Sequence, residues 1–232
     1  KVTDAEFRLA AAAYIRAAES CYSEKYGQTG APPKIDDGGA WFGGAPGSEQ
    51  FITFGTKWGL DSPFPGGQDQ SGPGTPGGVV TYSFMGDGVD NSAEAASPNV
   101  AISSLPKFST CFITELQNIF DAWSAVADIS FVEVADDGLP FNVGGNGDIR
   151  IGAHTFDGAN GVLAHGYYPP PIGATAAGDI HFDAEENWDC SDDGITFVIG
   201  IVGAHEIGHA IGLGHENIDI ALMNPYYNAT IE

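Results

Sequence analysis

Positive charge is what this sequence lacks most. Its 232 residues carry 8 Lys plus Arg against 31 Asp plus Glu, a formal net charge of −23. Phosphate backbones are held by clustered cations, so a nucleic-acid surface is excluded. The same deficit disfavours docking on anionic membranes. Cysteine is scarce too. Cys21, Cys111 and Cys190 are too few for a disulfide-built mini-domain and allow one bridge and one odd thiol. No apolar run approaches the ~20 residues that a membrane span needs. Acidity does not mean disorder here, because 43% of the residues are hydrophobic and 14 Phe, 8 Tyr and 4 Trp can build a core. The 33 Gly and 14 Pro point to many turns and long irregular loops rather than an all-helical chain.

Length predicts one domain, or one domain with a long appendage. Thr3 to Tyr26 reads as a helix, with Thr3 and Glu6 forming a capping box and Phe7, Ala10, Ala11 and Tyr14 opening an apolar stripe. Residues 30–78 are rich in Gly and Pro and are broken by Phe51-Ile52-Thr53-Phe54. They read as a connector that covers another surface. From Val79 the pattern regularises. Val79–Phe84, Ile129–Val134, Asp148–Ala153, Gly161–Tyr167 and Asp179–Phe182 read as strands. Phe108–Val126 reads as an amphipathic helix with Phe112, Leu116, Ile119, Phe120 and Trp123 on one face. Phe197–Ile211 reads as a mostly apolar, buried helix. The expected fold class is α+β, a sheet with helices packed on it. The division is 1–77, an N-terminal extension, and 78–232, the main domain.

Chemistry concentrates in His205-Glu206-Ile207-Gly208-His209-Ala210-Ile211-Gly212-Leu213-Gly214-His215. On a helix, His205 and His209 lie one turn apart on one face, the spacing at which two imidazoles hold one zinc. Glu206 can reach a water on that metal. Gly212 can take the positive φ that ends the helix and turns the chain back, bringing His215 in as third ligand. Three protein ligands leave a fourth position open for water, as catalytic zinc requires. Three bland core histidines in this register are a far poorer explanation.

That run, followed by Ala221-Leu222-Met223-Asn224-Pro225, resembles the metzincin metallopeptidases, with their HExxHxxGxxH motif and Met-turn. The short gap from His215 to Met223 and the Pro225-Tyr226-Tyr227 that follows are most similar to the matrixins. Gly161-Val162-Leu163-Ala164-His165 resembles the matrixin edge strand, and His181-Phe182-Asp183-Ala184-Glu185-Glu186 its calcium loop. Ala122-Trp123 through Val134 has a serralysin-like character. Glu216 departs towards the astacins. Pro225 stands where astacins and serralysins place a zinc-binding Tyr, so no Tyr ligand is implied. The resemblance runs from about Gly78 onward and implies a metzincin catalytic domain with a twisted five-stranded mixed sheet. The chain stops 9 residues after Met223, so the family's C-terminal helix is expected to be absent or shortened.

The implied activity is that of a secreted, extracellular zinc endopeptidase. By that resemblance His205, His209 and His215 would hold a zinc that activates water and polarises the peptide carbonyl, with Glu206 as general base. Met223 lies under the metal without ligating it. By the same resemblance, Gly161, Val162, Leu163 and Ala164 would pair with an extended substrate, and Pro225 and Tyr227 would wall the S1′ pocket. Asp157, Asp183 and Glu186 would hold calcium, with Asp148 and Asp179 as further, weaker candidates. A second, structural zinc is expected on His154, His165 and His181. The matrixin fourth ligand is an Asp two residues after the first His, and that position here is Phe156. The partners are protein or peptide substrates, and a monomer is expected.

The chain opens at Lys1 rather than Met, so removal of an upstream secretory signal is expected. Export favours oxidation, and Cys111 is expected to pair with Cys190. Cys21 is left over. A thiolate gate on the zinc, as in matrixin propeptides, is poorly matched by its neighbours Ser20 and Tyr22. Two other readings stand beside the enzyme: a latent precursor with residues 1–77 in the cleft, and a zinc-containing binding protein without turnover.

Overall fold

The computed structural model describes Trp58 and residues 78–105, 111–127, 129–143, 145–169, 174–190, 196–216, 218 and 220–228. The helix expected over residues 3–26, the Phe51–Phe54 patch and Cys21 lie outside the described residues.

Five strands make one sheet: β1 (Val79–Phe84), β2 (Ser130–Glu133), β3 (Ile149–His154), β4 (Ala164–Gly166) and β5 (Ile180–Asp183). Their spatial order is β2-β1-β3-β5-β4. The first three pairings are parallel, and β4 runs antiparallel to β5 at the edge. The sheet is therefore five-stranded and mixed, as expected. Parallel strands are normally covered on both faces. Accordingly β3 and β5 are buried at every position, while β2, at the far edge, is mostly exposed.

Helix α1 (Cys111–Ala127) buries Phe112, Leu116, Ile119 and Phe120, the stripe set by its 3.6-residue period. Phe120 stacks on Tyr82 of β1 with ring centroids 4.0 Å apart. Truncating a side chain such as Leu116 to Ala in such a core costs roughly 2–5 kcal/mol. Helix α2 (Ile199–Ala210) is buried along its whole length. It passes α1 at Gly203, where a Cβ would collide with the Leu116 side chain. Two short strands, β6 (Trp188–Asp189) and β7 (Phe197–Val198), lead into α2. A disulfide joins Cys111, the first residue of α1, to Cys190 just after β6.

Among the described residues, one cation is interior. Arg150 on β3 is only 1% exposed, and Asp136 takes it in a two-pronged contact at 2.8 and 2.9 Å. Trp58, from the stretch assigned to the extension, is likewise a core residue.

Candidate active site and metal centres

The α2 sequence is apolar around its circumference, so the helix sits in the core and carries its polar residues there. His205, Glu206 and His209 are all 0% exposed. The His205 Nδ1–H donates to the Leu222 carbonyl at 2.7 Å, and the His209 Nδ1–H donates to the Leu213 carbonyl at 2.8 Å. Each bond fixes a tautomer and frees Nε2 to face the centre, the usual arrangement behind metal-binding histidines. Burial holds His205 well below the ordinary histidine range, in the neutral form that ligates.

Gly212 has φ 104° and ends the helix as the sequence requires. The chain swings back and His215 arrives with its Nε2 3.2 Å from that of His209. Ligand atoms of His205, His209 and His215 all lie within 4.8 Å of one another. The edge strand passes close to the buried acid. A Cβ on Gly166 would stand 3.0 Å from Glu206 Oε2.

The segment after His215 folds back beneath this trio. The Glu216 amide donates to the Met223 carbonyl at 2.8 Å, and Met223 is 6% exposed. Its sulfur lies against α2, 2.5 Å from where a Cβ on Gly208 would be. Pro225 is buried in the same turn. The Tyr227 hydroxyl accepts the Val198 amide at 3.1 Å, where α2 begins, and its ring stands edge-on to Phe197.

A second cluster lies on the sheet. His165 and His181 are register partners across β4 and β5, and His154 ends β3 beside them. Glu94 completes the group, and ligand atoms of all four lie within 4.8 Å of one another. The Glu94 carboxylate is 2.6 Å from His165 Nε2, 2.9 Å from His181 Nδ1 and 3.7 Å from His154 Nε2. These nitrogens are buried and none is aligned for a hydrogen bond, the mark of donors converging on a common centre. His154 donates from Nδ1 to the Thr155 carbonyl at 3.0 Å, turning Nε2 inward. Burial pushes His181 down to about 4, so it too is neutral. Phe156 supplies no ligand; its ring packs on His154 with centroids 4.3 Å apart. Glu94 was missed in the sequence because it lies in a turn between β1 and α1, in no motif and far from the histidines.

The sequence profile of the family described as Matrixin matches residues 106–232, more than half of the chain. The chain belongs to the matrixin family. It is 42% identical over 117 residues to karilysin of Tannerella forsythia, covering 48% of this chain and 24% of that protein. Human matrix metalloproteinase-27 is 36% identical over 136 residues, covering 54% of this chain and 24% of that protein. Human neutrophil collagenase is 36% identical over 116 residues, covering 48% and 23%. The matched stretches thus span about a quarter of the length of these relatives.

The remaining acids of this matrixin chain sit in looser company. Among the described residues, only the two histidine clusters bring three or more ligand atoms within 4.8 Å. Asp157, Asp183 and Glu186 are near neighbours: burial raises Glu186 to about 7, and the charges of Asp183 and Asp157 add to the rise. Glu186 accepts the Gly161 amide at 3.1 Å and Asp157 accepts the Val162 amide at 3.0 Å. Those two amides are turned towards the acids, and the edge strand expected over Gly161–Tyr167 is therefore short, Ala164–Gly166. Leu163 and Ala164 are fully buried. Asp148 takes the Thr81 amide at 2.8 Å and its hydroxyl at 2.7 Å, tying β3 to β1. Asp179 accepts the Arg150 amide at 2.8 Å, and burial lifts its carboxyl well above the usual range.

Proposed function

We propose that this chain is a secreted zinc-dependent endopeptidase that cleaves extended segments of protein substrates and works as a monomer. One observation carries the proposal: three imidazoles converge within 4.8 Å at a fully buried Glu206. The donor set fits zinc, with neutral nitrogens, two of them oriented by carbonyls, and a count of three that leaves one coordination position open. Bound there, zinc lowers the pKa of a coordinated water and polarises a peptide carbonyl.

The chain's own residues do the rest. Glu206 accepts the proton of the attacking water and passes it to the leaving amine. Met223 gives the histidines an apolar floor. The open edge of β4 receives the substrate backbone by strand addition, with the flanking Gly161–Ala164 segment setting its approach. Pro225 and Tyr227 line the S1′ side.

Two further ions support the scaffold. Glu94, His154, His165 and His181 form a closed set of four, the pattern of a structural zinc. Asp157, Asp183 and Glu186 offer hard oxygens to calcium. The Cys111–Cys190 disulfide supports an exported protein. No helix among the described residues is long and apolar enough to cross a membrane.

A peptide-library digest with and without a zinc chelator tests the proposal. Cleavage abolished by chelator and restored by zinc is expected. Cleavage indifferent to chelator refutes the zinc mechanism, and no cleavage at all refutes the enzyme.

A further inference from the structure

An α-helix leaves its last carbonyls without helical partners. At the end of α2 the Gly212 turn takes care of most of them. The Ile211 amide bonds Ile207 O at 3.0 Å, the Leu213 amide bonds Gly208 O at 2.9 Å and the Gly212 amide bonds His209 O at 2.9 Å. The last two are the paired bonds of a Schellman cap, with Gly212 as its left-handed residue. That motif leaves the Ala210 carbonyl over. Its partner is the indole of Trp58, which donates Nε1–H at 2.7 Å across 152 positions of chain. Trp58 is 6% exposed, so the bond is shielded from water, and an indole N–H can only donate.

We propose that Trp58 is a positioning residue for the catalytic metal site, locking the turn that presents His209 and His215. The links are short. Leu213, whose amide closes the cap, is the residue whose carbonyl orients His209 at 2.8 Å. His215 follows two residues later. On its other side the Trp58 ring lies against Gly178, which has φ 82° and where a Cβ would come within 2.5 Å of the ring. The Gly178 amide bonds Tyr167 O at 3.1 Å, and the neighbouring Tyr168 packs edge-on to His209 with centroids 5.2 Å apart. Trp58 thus wedges between the two segments that flank His209. It lies outside the stretch matched to the family, residues 106–232.

The inference rests on zinc binding at His205, His209 and His215, and the test separates the two. In the full-length chain, Trp58→Phe keeps most of the ring and removes the N–H. Zinc affinity of the catalytic site is read by chelator competition, with His205→Ala marking the contribution of any other site. A loss of about tenfold is expected, the low end for groups that orient metal ligands. Exchange protection of the Gly212 and Leu213 amides should fall with it, and kcat should fall with KM unchanged. A lower melting temperature with unchanged zinc affinity would overturn the inference and leave the zinc proposal intact. A wild-type chain that binds no zinc would overturn both. Should Trp58→Phe fail to fold, linkage supplies a wild-type measurement, because zinc must stabilise whatever stabilises its site. Exchange of the Trp58 indole proton should slow about tenfold on zinc loading, more than exchange of the α1 amides. An indole that ignores zinc refutes the proposal.

Discussion

His165 and His181 face each other across the β4–β5 pair, ring centroids 5.3 Å apart, and Glu94 reaches both from outside the sheet. Antiparallel pairing fixes this juxtaposition, because register partners project to the same face. With His154 they make a second group of four possible ligands, and on the proposed reading the wild-type chain should bind two zinc ions. Glu94→Ala and His165→Ala should each hold one, measured by elemental analysis of the folded protein. One ion per chain in wild type, unchanged in both variants, would refute the second site.

Glu206→Ala leaves the three clustered histidines in place and takes away the buried carboxylate proposed as the base. Zinc content should stay at the wild-type value while peptide hydrolysis falls about a thousandfold or more, the scale of general-base assistance. Turnover near wild type would show that another group takes the proton.

If calcium sits at Asp157, Asp183 and Glu186 as proposed, its effect should depend on pH through Glu186. Without calcium, burial and the charges of Asp183 and Asp157 raise it from its ordinary 4.5 to about 7. A raised pKa means that the folded chain holds this proton more tightly than the unfolded one. Its contribution is full below about 4.5 and is lost as pH rises towards about 7. Thermal melts in calcium-free buffer should therefore move down across that window, and calcium should raise the melting temperature more at pH 7 than at pH 5. Equal calcium effects at both values would remove calcium from this cluster.

The Cys111–Cys190 bridge spans 79 positions. On the chain-entropy description, closing a loop of that length stabilises the fold by about 4.5 kcal/mol. Replacing both cysteines with Ser should lower the denaturant midpoint accordingly, with the far-ultraviolet spectrum unchanged. A midpoint shift near zero would place the bridge's effect elsewhere.

The parts legible in the sequence were those in which spacing does the work. The intervals between His205, Glu206, His209, Gly212 and His215 encode a helix face followed by a turn, and the structure brings those residues together. The strands over 79–84 and 149–154 were legible because β-branched and aromatic residues run between turn residues. Contacts that depend on tertiary placement left no local trace. Glu94 is one acid among 31 Asp plus Glu, and nothing beside it marks it as a ligand. Trp58 sits in a Gly/Pro-rich stretch that reads as connector, yet it closes the end of α2. The strand ending at Tyr167 was drawn too long, because a sequence pattern cannot show that the Gly161 and Val162 amides turn to Glu186 and Asp157. Helix α2 starts two residues later than drawn, because Phe197 and Val198 pair with Trp188 and Asp189.

The edge position of β4 among the described strands carries a cost beside its proposed use. A sheet edge open to a peptide is equally open to the edge of another copy, the geometry from which aggregates grow. Two devices counter this. The strand is only 3 residues long, which limits the ladder a neighbour can form. Every approaching copy also carries a charge of −23, so edge-to-edge contact brings like charges together. The second device works through the solvent: at about 1 M salt the screening length shrinks to roughly 3 Å, and strand length is left as the main barrier to self-pairing.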